Sequence, residues 1–256
     1  MKNNKPLKPY VKALLLLASI VFWCLIWYLG ARFYNIPLIL PSPAAVVAEF
    51  GHLLITSLFW KSLLSSLFRV LCGAVMGCLL GFLMGLLSGY SQVASTLFSP
   101  VISVIRATPV ACFIILAWVF IGQAGLPIFI SALMVLPILY TATSLGIRCT
   151  SRELLEAAYV YRLNWWQTWK VCYFPSLWPH VNNALFNSIG LAWKAGLAAE
   201  IIVHTEKSLG YEIWNAKAWE MSSTALFAWT IAVICVSLCL EGAFRLFARK
   251  GVKQDV

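Results

Sequence analysis

The stretch "ELLEAAYVYRLNWWQTWKVCYFP", Glu153–Pro175, is the most polar extended segment of an otherwise apolar chain. Thr150-Ser-Arg-Glu153 at its head has the form of a capping box, in which the Thr150 hydroxyl and the Glu153 carboxylate satisfy opposed backbone donors. It predicts a helix over about 151–161. Asn164-Trp-Trp-Gln167 repeats the signal and predicts a second helix that runs to Phe174, where Pro175 stops it. One helix carries Leu154, Leu155, Ala158 and Tyr159 along one side, and the next carries Trp165, Trp166, Trp169 and Tyr173. Such faces need cover, from membrane helices and another protein, or from the headgroup layer in which tryptophans settle.

The flanks are membrane sequence. Of 256 residues, 61% are hydrophobic and only 11% charged, and the mean hydropathy is +0.85. A soluble domain carries roughly 25% charged residues, so the chain reads as an all-α integral membrane protein. Six transmembrane helices can be drawn, at about 13–31, 62–88, 109–121, 126–147, 183–203 and 223–244. The first run, Ala13 to Gly30, is about 27 Å long as a helix, close to a bilayer span. No small-x-small cleavage site follows it, which predicts a retained helix. Thr108–Pro109 reads as cap and first-turn proline of the third span, Pro127 as the first-turn proline of the fourth, and Pro137 as a kink within the fourth. The expected division is 1–61 (first helix and extracytoplasmic segment), 62–245 (core, with the insert at 150–175) and 246–256 (cytoplasmic tail).

The net charge is +10, but its basic residues form no stripe with interleaved aromatics, which argues against nucleic acid as a partner. They instead sort by membrane side. Lys2, Lys5, Lys8 and Lys12, then Arg106, then Arg148, Arg152, Arg162 and Lys170, then Arg245, Arg249, Lys250 and Lys253 fall on one side of a six-span chain. Only Arg32, Lys61, Lys207 and Lys217 fall on the other. Both termini and the insert are expected to be cytoplasmic. The eight cysteines lie mostly in apolar runs without a CxxC pair and read as packing residues, not disulfides or metal ligands.

Gly73, Gly77, Gly81, Gly85 and Gly89 recur every fourth residue in the second span. Each weakens a helix by roughly 0.5–1 kcal/mol relative to alanine, and close approach of a second helix is the compensating gain that lipid permits. Ser65 and Arg69 continue the row. Arg69, Lys194 and Glu200 are ionisable groups within or near the ends of spans, and such groups face a cavity or a partner. Lys194, midway along the fifth span, and Arg69, nearer the outer end, are candidates for a path that lowers the barrier to an anion. Glu200, near the outer end of the fifth span, is a further candidate for that path, and a structural role is the competing reading for all three.

Glu156-Ala157-Ala158, three residues, Arg162, nine residues and Cys172-Tyr-Phe-Pro175 together resemble the Glu-Ala-Ala signature of ABC-importer permeases. The ordered set LPSP (Leu40–Pro43), SLFRVLCG (Ser66–Gly73), RATP (Arg106–Pro109), FIGQAGLP (Phe120–Pro127) and AAEIIVHTEKSLGY (Ala198–Tyr211) extends the likeness over most of the chain, toward the nitrate/sulfonate/taurine branch. The resemblance implies a type I importer permease fold with a cytoplasmic coupling helix that docks on a separate ATPase. It assigns the contact to Glu153, Glu156, Ala157, Ala158, Arg162, Asn164 and Pro175, with Glu156 as the polar contact, the alanines permitting close approach and Pro175 fixing the exit. It further implies two ATPase subunits that bind ATP and Mg2+, an extracytoplasmic substrate-binding protein, a bacterial inner-membrane location and no cofactor or metal in this chain. The two-fold symmetry of an ATPase pair favours a homodimer of permeases. A small anionic or sulfonate-like solute, or a vitamin precursor, is the cargo expected of that branch.

The family's usual glycine is Arg162 here. The residue either carries the left-handed turn at roughly 1–2 kcal/mol, or the turn shifts toward Asn164. Two other classes remain. A secondary transporter or channel would show inverted repeats and midplane acids, and neither is evident. A membrane enzyme built on His52, His180 and Glu200 would need residues that lie at different depths. No phosphate-binding loop or catalytic triad is found in the chain.

Overall fold

A computed structural model describes residues 9–34 and 36–252. Lys2, Lys5, Lys8 and Lys253 of the charge argument, with the end of the 246–256 tail, lie outside the described residues. The described chain is helical: α1 Pro9–Tyr34, α2 Pro43–Ile55, α3 Ser57–Tyr90, α4 Gln92–Ala107, α5 Val110–Arg148, α6 Arg152–Val160, α7 Trp165–Thr168, a π turn Trp169–Tyr173, α8 Phe174–Val203, α9 Leu209–Ala218 and α10 Ser223–Val252.

Five helical stretches are long and apolar enough to cross a membrane, where six spans were expected. The difference lies in α5, which carries both the third and fourth expected spans. Gly122 interrupts it at φ 73 and ψ 173, a region open in practice only to glycine. A side chain there would meet nothing within 4 Å, so the requirement is conformational and not spatial. Residues 110–121 form a first arm about 18 Å long, short of a hydrocarbon core of roughly 30 Å. Ile114 and Ala117 of that arm share one apolar cluster with Leu126 and Ile130 of the second arm and with Ala195, Ala199 and Val203 of α8. Pro127 falls inside the second arm, where its missing N–H leaves the Gln123 carbonyl without its helical donor. The Thr205 hydroxyl donates to that carbonyl instead, at 3.1 Å. Thr108 belongs to the end of α4, its N–H and hydroxyl both donating to Val104 O, and Pro109 takes the cap position of α5. Backbone dihedrals stay helical through Pro137.

The described chain falls into two compact units. The first takes residues up to Ser57 together with Ile213–Ala232. Within it the Trp27 indole donates to Pro41 O at 3.1 Å and stacks on Phe227. Ser42 caps α2 by accepting the Ala45 N–H, ahead of Pro43 in the first turn. This gives LPSP a local cause: it starts a helix.

The second unit holds Leu58–Glu212 and the chain from Val233 onward. Its core is α3 laid along the second arm of α5. A side chain built on Gly73 would strike Ile128 O, one on Gly77 would strike Ala132 O, and one on Gly81 would lie 2.5 Å from Leu136 O. One on Gly85 would lie 2.7 Å from Tyr140 O, and one on Gly89 2.6 Å from the Ile147 Cβ. Four residues along α3 match about four along α5, so the two helices run parallel with backbones in contact. Gly196 of α8 closes the third side, where a Cβ would come within 2.6 Å of both Ser131 and Val70. Ser131 also donates to Ala192 O at 3.2 Å, which ties α5 to α8.

Candidate functional site

The polar insert emerges between α5 and α8 and is held by two local devices, a turn at Arg162 and a cap at Asn164. Its first helix, α6, takes Ser151 and not Thr150 as its N-cap residue, and no side chain caps it. Thr150 is instead buried, its hydroxyl without a hydrogen-bond partner among the described residues. The helix ends in a Schellman turn: Leu163 N–H donates to Ala158 O and Arg162 N–H to Tyr159 O, each at 3.0 Å. Arg162 occupies the left-handed position itself, at φ 53, while Asn164 is extended at φ −71. The turn therefore does not shift to Asn164, because these two bonds fix its register at Arg162. Asn164 caps the next helix, its side chain accepting from Gln167 N–H while the Gln167 side chain accepts from Asn164 N–H, both at 2.9 Å.

Pro175 does not stop this second helix. The path widens into the π turn, in which Phe174 N–H reaches Trp169 O five residues back. Pro175 then sits in the first turn of α8, where a missing N–H costs little. The insert is thus continuous with a membrane helix and inherits its direction.

Ala158 is buried within this chain, on the face where Leu154 O receives the Cys172 thiol at 3.6 Å. It was expected to allow close approach of a partner, but a one-turn step from Leu154 places it on the inward side. Glu153, Glu156, Ala157, Arg162, Asn164 and Pro175 are exposed. Tyr159, Val160, Tyr161, Trp165 and Trp166 are between 66% and 86% exposed. A cleft of about 440 Å³ opens beside them, lined by Trp166, Gln167, Trp169, Lys170 and Phe174.

The second cluster forms around Glu200, which is fully buried. Its carboxylate accepts from the Ser66 hydroxyl at 2.7 Å and from Gly210 N–H at 3.3 Å. Ser66 in turn accepts Leu209 N–H at 2.9 Å. The Arg69 guanidinium lies 3.8 Å from the other carboxylate oxygen and donates to Glu206 O at 3.2 Å. A side chain on Gly210 would collide with the Glu200 Cβ, so glycine is required there. The loop between α8 and α9 is thereby pinned to α3 at one buried carboxylate. Beside it a cavity of about 500 Å³ is lined by Lys61, Ser62, Ser65, Glu206, Lys207 and Tyr211, among others.

Of the three ionisable candidates, Arg69 and Glu200 come together and Lys194 does not join them. Lys194 pairs with Glu241 of α10 at 3.4 Å, its own side chain 66% exposed. Sequence reasoning missed Ser66, Gly210 and Glu241. Ser66 stands three residues before Arg69, on the same face of α3, and that spacing was a usable signal. Glu241 carried none, because only the tertiary fold places it against Lys194.

Residues 77–252 match the family described as "binding-protein-dependent transport system inner membrane component". The chain belongs to that family. A putative aliphatic sulfonates transport permease of Bacillus subtilis is 26% identical over 95% of this chain and 87% of its own length. Its Escherichia coli counterpart is 33% identical, with 74% of this chain and 72% of the relative covered. A riboflavin transport permease of Chloroflexus aurantiacus is 32% identical with the same coverage of 74% and 72%. A solved amino acid ABC transporter superposes with a TM-score of 0.60 at 18% identity, covering 75% of this chain and 94% of that one. The fold is that of ABC importer permeases, and the permease is a transport subunit and not an enzyme. Such permeases work with ATPase subunits and a substrate-binding protein.

Proposed function

We propose that this permease forms half of the solute path of an ATP-driven importer for a small oxyanionic solute, a sulfonate before a vitamin precursor. Its coupling element is the exposed face of α6, α7 and the π turn. The observation that carries the reading is that five large apolar side chains stand exposed on a segment locked by a Schellman turn and a capping box. A segment so rigid, with so much apolar surface uncovered, fits a protein partner better than solvent. Glu153 and Glu156 supply the polar contacts at its exposed rim, and Arg162 adds a charge beside them. Two ATPase subunits that bind ATP and Mg2+ would each take one such segment, with two copies of the permease related by a two-fold axis. Closure of the ATPase pair would then push on both segments and rock the helices between inward-open and outward-open states.

α3 and the second arm of α5 run parallel, so α4 and the first arm of α5 together carry the chain back across the membrane between them. With that return, the lysine and arginine counts favour a cytoplasmic side for both termini and the coupling segment. The sulfonate relatives, at 26% and 33% identity, support an oxyanion as cargo. The test is reconstitution with the ATPase and the receptor. Glu156→Ala combined with Tyr159→Ala is expected to leave membrane insertion intact while the ATPase no longer co-purifies and ATP-dependent alkanesulfonate uptake is lost. Undiminished assembly and uptake in that variant would refute the coupling role. Uptake of riboflavin but of no sulfonate would refute the solute.

A further inference from the structure

α4 lies against the second arm of α5 along a groove of about 290 Å³. From α4 come Ser95, Ser99 and Arg106, and from α5 come Thr141 and Arg148. The steps from 95 to 99 to 106, and from 141 to 148, are those of one face on each helix. Two guanidiniums therefore share one small groove. Among the described residues no carboxylate lies within ion-pair distance of either.

Each guanidinium is already positioned. Nη2 of Arg106 donates to Pro137 O at 2.9 Å and to the Thr141 hydroxyl. Nη2 of Arg148 donates to Ser88 O at 3.0 Å and to the Ser95 hydroxyl at 2.7 Å. A guanidinium has five N–H donors, so each has three beyond these two ties. Ser95 accepts from Arg148 and retains its own hydroxyl proton. One carbonyl and one hydroxyl tie each Nη2 and fix the position of each guanidinium, while both side chains are exposed along the groove, where a ligand can reach them. Two forked cations at fixed positions, with hydroxyls between them, suit a tetrahedral oxyanion.

We propose that the α4–α5 groove is an oxyanion site, holding a sulfonate or phosphate group between Arg106 and Arg148 with the hydroxyls of Ser95 and Ser99. The volume fits a small headgroup and not a large organic anion. In the proposed orientation Arg148 lies at the cytoplasmic end of α5 and Arg106, tied to Pro137 O and Thr141, lies about 10 Å or more deeper, so the groove runs inward from the cytoplasmic side. An imported sulfonate leaves there, and the headgroup of an inner-leaflet anionic lipid also sits there.

The test uses the full-length permease in nonionic detergent, without ATPase or receptor, so its failure leaves the coupling role standing. Ethanesulfonate, added against sodium chloride of equal ionic strength, is expected to raise the melting temperature in a saturable way. Arg106→Gln/Arg148→Gln is expected to weaken the apparent affinity by about tenfold or more. If that variant does not fold, Ser95→Ala/Ser99→Ala keeps both charges and is expected to weaken it by roughly threefold. Arg106→Lys/Arg148→Lys, which keeps charge but loses the forks, should bind less well than wild type. Nanodiscs of phosphatidylcholine with or without phosphatidylglycerol form the second arm. An arginine-dependent shift with phosphatidylglycerol, and none with ethanesulfonate, would give the same oxyanion site to a lipid headgroup. No arginine-dependent shift with either probe, or an equal shift with ethylammonium chloride, overturns the proposal.

Discussion

Gly81→Ala tests the packing on which the second unit depends. The new Cβ would lie 2.5 Å from Leu136 O and 3.0 Å from the Leu139 Cβ. An ordinary carbon–oxygen contact is about 3.3–3.6 Å, so the overlap with backbone is about 1 Å. A backbone carbonyl inside a helix cannot swing aside as a side chain does, so α3 and α5 must separate. A gap of 0.5–1 Å forfeits roughly a quarter to a half of each dispersion contact across it, and the loss extends to the other glycines of the row. Overpacking of this kind costs about 1–3 kcal/mol, against which alanine returns about 1 kcal/mol of helix propensity. The net expectation is a loss of up to about 2 kcal/mol for alanine. Leucine at Gly77 or Gly81 should abolish folding or assembly. Gly51→Ala in α2 is the control, because a side chain there meets nothing within 4 Å, and it should be neutral or stabilising by up to about 1 kcal/mol. Thermal unfolding of the purified variants in one detergent provides the comparison. If Gly81→Ala melts at or above wild type, as Gly51→Ala should, the backbone-to-backbone contact does not exist and the reasoning fails.

Ser66→Ala removes the hydroxyl that both donates to Glu200 and accepts from Leu209 N–H. It should destabilise by about 1–3 kcal/mol, read as a lower melting temperature; an unchanged value would mean the loop is not held at this point. Arg162→Gly relieves a left-handed non-glycine residue and should stabilise by about 1 kcal/mol, with ATPase co-purification as the check that the docking face survives. A lower melting temperature would show that the Arg162 side chain contributes more than its backbone strain removes. Lys194→Met should lower solute-driven transport by the reconstituted complex more than basal ATP hydrolysis. Adding Glu241→Gln should restore part of that loss, since it removes the negative charge that Lys194 balanced; a double variant no better than the single one would count against the pair.

What the sequence disclosed and what it withheld divide along the range of the forces involved. The glycine row was legible because its cause is periodic: one residue type every fourth position means one helix face, and a face of glycines inside lipid is a face against which another backbone packs. The cap at Asn164 was legible because its donors and acceptors lie three residues apart. Thr150 and Pro175 misled for the same local reason. Each offers a valid start or stop signal, and tertiary packing overrode both, burying Thr150 and carrying the helix through a π turn past Pro175. Gly122 was hidden at the start of GQAGLP (Gly122–Pro127), between the expected third and fourth spans, where a turn was readable but its break at a single φ was not.

The Glu200 cluster shows why site chemistry is harder to read than site location. Arg69, Ser66 and Glu200 all fall within segments that the sequence marked as distinctive, yet nothing in their spacing joins residues 66 and 200. Only the glycine-lined approach of α3 to α5, and of α5 to α8 at Gly196, brings α3 and α8 close enough for Ser66 to reach the carboxylate. The polar contact is therefore a consequence of the apolar one. Substituting the glycines should loosen Glu200 before it unfolds the chain, whereas substituting Ser66 should leave the helix contact in place. The same dependence explains why Arg69 cannot be assigned to a solute path by its charge alone. Its guanidinium is already turned toward Glu200 and Glu206 O, and any anion drawn to it must compete with a carboxylate that the fold has fixed beside it.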